Sequence, residues 1–110
     1  MKRVIFMGSS KEDLADFPDE ARSRAGHDLF LVQEGFEPES WKPMSIVGAG
    51  ARELRVREEA GAFRVIYVAT FASAVYVLHA FQKKRQATPG RDIKLARRRY
   101  REAIDMGRKG

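Results

Sequence analysis

The chain has no cysteine. That excludes a disulfide framework and any thiolate metal site, and it fits a reducing compartment. Histidine is almost as scarce. His27 and His79 stand 52 positions apart with no HxxxH pair, which makes a poor metal site. Long apolar runs are missing too. "MKRVIFMGSSKEDL" offers only the run Val4 to Gly8 before charges return, too short for a signal-peptide core. The long uncharged stretch from Val65 to Phe81 has 17 residues and includes Thr70, Ser73 and His79. A spanning helix needs about 20 apolar residues. This run is rich in β-branched and aromatic residues, so it reads as two strands joined by a turn near "FASA". "FMGSSKED" is neither a P-loop nor a nucleophile elbow. The expectation is a cytoplasmic protein with no membrane segment, no metal and no cofactor.

Acidic residues are scarce in the second half. Residues 1–51 hold six Lys/Arg and nine Asp/Glu, a balance of −3, whereas residues 52–110 hold fifteen and six, a balance of +9. Between Lys83 and Arg101 there are nine cations and one acid, Asp92. Solvated helix faces usually mix signs because like charges at i, i+4 repel. So one-sided an excess points to a polyanion or an acidic protein partner.

A length of 110 residues with 44% apolar residues is enough for one domain, 1–110, with one modest core. "KRVIFM", Lys2 to Met7, reads as a first strand. Ser9 and Glu12 have capping-box spacing for a short helix ending near Asp16. Pro18 opens a second helix, in which Ala21, Ala25, Leu29, Val32 and Phe36 recur at helical steps up to a stop at Gly35. Phe36 to Ala51 has two prolines and two glycines without a period and reads as a loop, held to the core through Trp41, Met44 and Ile46. In "RELRVREE", Leu54 and Val56 alternate with Glu53, Arg55 and Arg57, giving a strand with one dry and one wet face. A turn at Ala60-Gly61 leads to "AFRVIYVAT" and then "AVYVLHAFQKK", both near-continuous apolar strands. Thr88 as cap and Pro89 in the first turn start a last helix with the stripe Ile93, Ala96, Tyr100 and Ala103. The order β, α, α, β, β, β, α gives an α+β fold. A helical hairpin packs on a twisted, mostly antiparallel four-stranded sheet, followed by a C-terminal helix.

Several short motifs occur in a definite order. "WKPM" is followed by "G-x-G-A-R-E-L-R-V", "F-R-V-I-Y", "H-A-F-x-K-K-x-x-x-T-P" and an "A-x-x-R" in the last helix. In that order and spacing the chain resembles phage-related toxins of the HigB/RelE type, within the RelE/ParE superfamily of type II toxin–antitoxin systems. The resemblance runs from about Phe17 to Tyr100 and is densest from Trp41 to Pro89. It implies a RelE-like fold and a cytoplasmic toxin that cleaves mRNA in the ribosomal A site. It also implies a cognate helix-turn-helix antitoxin. A different class within the same superfamily consists of ParE-like toxins that poison a protein target such as gyrase, and an inactive phage remnant is a third reading.

RNA cleavage by the neighbouring 2′-hydroxyl needs a proton acceptor, cations against the phosphate charge and a donor for the leaving oxygen. Arg55 and Arg57 share one strand face by alternation, Arg64 opens the next strand, and Lys83 and Lys84 end the last one. Matched by motif, the family's catalytic cations fall on Arg55, Arg57, Arg64 and Lys84, with Lys83 as the neighbouring candidate. Lys83, Arg85, Arg97 and Arg98 are the expected RNA contacts. The bland readings stand beside these. Arg64 could pair with Glu53 or Glu58 across the hairpin, and Lys83 to Arg85 could guard a sheet edge. Arg97 and Arg98 could sit on a solvated helix face or contact the antitoxin. His79 shares alternation parity with Val75, Val77 and Phe81. It reads as a hydrogen-bonded core residue, or else as a general acid or base.

Overall fold

The computed structural model describes residues 1–84 and 86–109. Its elements are β1 (Arg3–Phe6), α1 (Ser10–Ala15), α2 (Asp19–Gln33), β2 (Trp41–Pro43), β3 (Ala51–Glu58), β4 (Gly61–Val68), β5 (Ala74–Lys83) and α3 (Gly90–Lys109). The sheet has five strands in the order β1-β5-β4-β3-β2. β1 lies parallel to β5, and every other pair is antiparallel. The expected α+β class, helical hairpin and terminal helix are present, but the sheet has five strands rather than four.

The extra strand is β2, inside the segment read as a loop. Three residues are too few to display an alternation, and Pro43 disguises them further. Pro43 is tolerated because β2 is an edge strand, where a missing N–H breaks no interior ladder. Arg52 lies across the Trp41 ring, its guanidinium carbon 3.8 Å from the centroid. Of the three residues expected to hold this segment to the core, Met44 is buried, Trp41 is half-buried and Ile46 is exposed; Val47 takes the inward place.

The sheet is covered on both faces. Ala21, Ala25, Leu29 and Val32 of α2, with Leu14 and Phe17, pack on Leu54, Val56, Val65 and Tyr67. On the other face Ala96 and Ala103 of α3, with Met44 and Val47, pack on Ile66, Val68, Tyr76 and Leu78. α2 ends where the glycine signal places it, with Gly35 at φ 87°. Phe36 lies beyond that stop and is exposed, so it does not extend the buried stripe. The Ser9 hydroxyl donates to Asp13 rather than capping α1 through the backbone. Thr88 does not cap α3 either, because its hydroxyl turns to Glu53.

One irregularity re-aims the end of β5. Ile66 pairs with His79 but Tyr67 pairs with Val77, so Leu78 is an extra residue. Such a bulge breaks strict alternation. Val75 and Val77 face the helical hairpin, whereas His79 pairs with Ile66 on the α3 side. The parity expected for His79 is therefore corrected: it shares a face with Phe81 but not with the two valines. The Leu78 carbonyl accepts a hydrogen bond from Arg99 Nη1 at 3.0 Å. Arg99 Nη2 also donates to Ser9 Oγ at 3.2 Å, and the side chain is buried against Gly8. Gly8 has φ 52°, and a Cβ there would stand 2.5 Å from Arg99 Nε. Burial lowers the Arg99 pKa from its ordinary value, an effect that Asp13 opposes.

Candidate nucleic-acid interface

Beyond the bulge, three strands lay their side chains in rows across the α3-side face. The register sets Glu53, Ile66 and His79 in one row. Arg55, Arg64 and Phe81 form the next, and Arg57, Ala62 and Lys83 the last. Cross-strand neighbours stand about 5 Å apart. Three arginines and a lysine from three strands therefore converge at one sheet end, and the small Ala62 leaves a hollow between Arg57 and Lys83. The result is a groove of about 470 Å³ lined by Arg55, Arg57, Ala62, Arg64, Lys83, Lys84 and Gln86. Arg55, Arg57 and Arg64 also line a smaller hollow of about 170 Å³ with Arg24, Glu39 and Ser40. The arginine cluster thus faces two adjoining concavities.

Glu53 lies under the arginines. Alternation puts it on the same face as Arg55 and Arg57, where it was expected to be wet, but it is fully buried. Its Oε1 is 3.4 Å from Arg64 Nε and 3.8 Å from Lys42 Nζ, and its Oε2 accepts from Thr88 Oγ1 at 2.8 Å. Of the two pairings open to Arg64, the structure has Glu53; Glu58 pairs with Arg24 at 2.8 Å. Arg64 Nη1 also donates to the Phe63 carbonyl. A buried carboxylate held this way fixes the arginine's position and ties the segment after β5 to the sheet.

Burial lowers the pKa of the Arg64 guanidinium, Glu53 raises it, and Arg55 and Arg57 lower it further. The Lys83 ammonium is likewise below its ordinary range, first through burial and then through Arg64. Cations crowded like this repel one another, and a bound anion relieves that repulsion.

Arg55, Arg57, Arg64, Lys83 and Lys84 are thus gathered in one place. Arg97 and Arg98 are exposed on α3 and do not line the groove. Arg85 lies outside the described residues. His79 also stays out of the groove. Its Nε2 lies 2.6 Å from Asp92 Oδ1 in the first turn of α3, and its ring stacks on Phe81 with centroids 5.0 Å apart. Sequence reasoning anticipates Glu53 as one of two partners for Arg64, and it misses the organising roles of Asp92, Thr88 and Arg99. Only Arg99 had a legible signal, because it falls between Ala96 and Ala103 at helical steps of three and four.

A family model described as phage derived protein Gp49-like (DUF891) matches residues 12–101. The chain belongs to the Gp49-like family of phage-derived proteins. No curated protein matches it. The Gp49-like match includes every residue of the cation groove, the His79–Asp92 pair and Arg99. No helix of this Gp49-like chain is long and apolar enough to cross a membrane among the described residues.

Proposed function

We propose that this Gp49-like protein is a toxin of a type II toxin–antitoxin system, acting as an endoribonuclease on ribosome-bound mRNA. The observation that carries the reading is the convergence of Arg55, Arg57, Arg64, Lys83 and Lys84 on one groove. The motif resemblance to HigB/RelE-type toxins supports it. In the proposed reaction a ribose 2′-hydroxyl attacks the adjacent phosphorus as the P–O5′ bond breaks, with no covalent enzyme intermediate. Arg55, Arg57 and Arg64 hold the developing phosphate charge. Lys83, with its lowered pKa, accepts the 2′-hydroxyl proton, and Lys84 assists the leaving 5′-oxygen. The partners on this reading are the ribosome, mRNA and a small helix-turn-helix antitoxin.

Expression without the antitoxin is expected to stop growth and to produce new mRNA ends only while the message is translated. Primer extension on translated and untranslated copies of one transcript checks this. Intact transcripts together with accumulated gyrase–DNA complexes would replace this reading with the ParE-like one.

His79 is assigned to structure. Its contact with Asp92 fastens the start of α3 to the bulge of β5. His79→Gln is expected to lower unfolding stability by about 1–3 kcal/mol, the cost of a disturbed buried hydrogen bond. Urea unfolding beside a cleavage assay measures both effects. Normal stability with cleavage reduced about a hundredfold would instead make His79 a general acid or base.

A further inference from the structure

The cation groove does not end at Lys84. That residue is shared with a second concavity of about 500 Å³, lined by Phe81, Gln82, Pro89, Arg91 and Asp92. Phe81 is the third member of the row Arg55–Arg64–Phe81, so its ring stands on the groove side of the sheet, one strand spacing from Arg64. The ring is only partly covered. It is held in orientation by its stack on His79, which Asp92 fixes in turn. A positioned aromatic ring beside phosphate-directed cations is the combination that single-stranded nucleic acid requires, because a base stacks while its backbone tracks the charge.

We propose that the concavity at Phe81 is a nucleobase seat. It takes the base of a nucleotide whose phosphate lies in the cation groove, and Phe81 is its stacking platform. The inference rests on the reading of the groove as an RNA site and adds to it a contact that phosphate attraction does not supply. His79 and Asp92 act as positioning residues for the ring.

The test uses a short single-stranded oligoribonucleotide carrying 2-aminopurine, whose fluorescence falls on stacking, with inorganic polyphosphate as a ligand that has charge but no base. Phe81→Leu keeps most of the apolar volume and removes the π face; Phe81→Tyr keeps both. Wild type and Phe81→Tyr are expected to quench the probe. Phe81→Leu is expected to bind the oligonucleotide about tenfold or more weakly, without quenching, the scale of one lost base–aromatic stack. Its polyphosphate affinity should stay within about twofold. Unchanged oligonucleotide binding and quenching in Phe81→Leu would overturn the seat and leave the groove reading intact, as would wild-type binding without quenching. Equal loss of both ligands in Phe81→Leu would also overturn it. Wild-type protein that binds neither ligand would overturn the seat and the groove together.

Discussion

Arg64→Ala is expected to reduce RNA cleavage by about 100- to 1,000-fold, the usual effect of removing one donor aimed at developing charge. It is also expected to destabilise the fold, for a separate reason. Among the described residues, the guanidinium is one of two cations within 4 Å of the fully buried Glu53 carboxylate. Removing one partner of a buried ion pair costs about 3–5 kcal/mol, because the other charge is left uncompensated. The retained Lys42 and Thr88 contacts place this case near the lower end. The two effects separate in the double variant Arg64→Ala/Glu53→Gln. Glutamine can keep the bond from Thr88 without a charge, so stability should largely return while cleavage stays lost. Urea unfolding and single-turnover cleavage on the single and double variants measure this. A double variant as stable as wild type that cleaves at the wild-type rate would remove Arg64 from the mechanism.

Lys83→Arg is expected to keep RNA binding within a few-fold and to reduce cleavage by about 100-fold or more, the scale of one general base. The charge survives the substitution, but arginine does not deprotonate in proteins. Lysine at this position is suited to proton transfer because burial, and then Arg64, lower its pKa. The sign of the pH effect follows. The neutral amine becomes available at lower pH than for an exposed lysine, so the wild-type rate should rise with pH toward the lowered pKa and then level. In Lys83→Arg that rise should be absent. Single-turnover rates across pH test both points. A variant with the wild-type rate and profile would leave Lys83 as a phosphate contact and place the proton elsewhere.

The groove was legible before the fold because alternation is a local property. Arg55 and Arg57 two residues apart on β3, with Arg64 early on β4, Lys83 ending β5 and Lys84 just beyond it, can meet only if the strands pair as hairpins, and they do. The helices were legible from the steps of Ala21, Ala25, Leu29 and Val32 and from the glycine stop at Gly35. What was illegible depends on contacts distant in sequence. Glu53 looks wet by alternation, yet it is fully buried, and one of its partners, Thr88, arrives 35 residues later. Alternation groups His79 with Val75 and Val77 as well as Phe81; only Phe81 shares its face, because the Leu78 bulge, closed by Arg99 from 21 residues away, leaves no mark in the local pattern. β2 was invisible because three residues with a proline show no period. Arg99 looked like one more cation in "RRRYR", although its neighbours Arg97 and Arg98 are exposed and it is not.

The central claim is that the cation groove promotes attack by a ribose 2′-hydroxyl on mRNA. The most direct measurement is the chemistry of the new RNA ends after purified protein is added to ribosomes translating a defined message. Attack by the 2′-hydroxyl releases the 5′-oxygen of the next nucleotide. The account therefore predicts downstream fragments with a 5′-hydroxyl, which a kinase labels without prior phosphatase treatment, and none when Arg64→Ala/Glu53→Gln replaces the wild type. Fragments that begin with a 5′-phosphate, or equal cleavage by the groove variant, would contradict it.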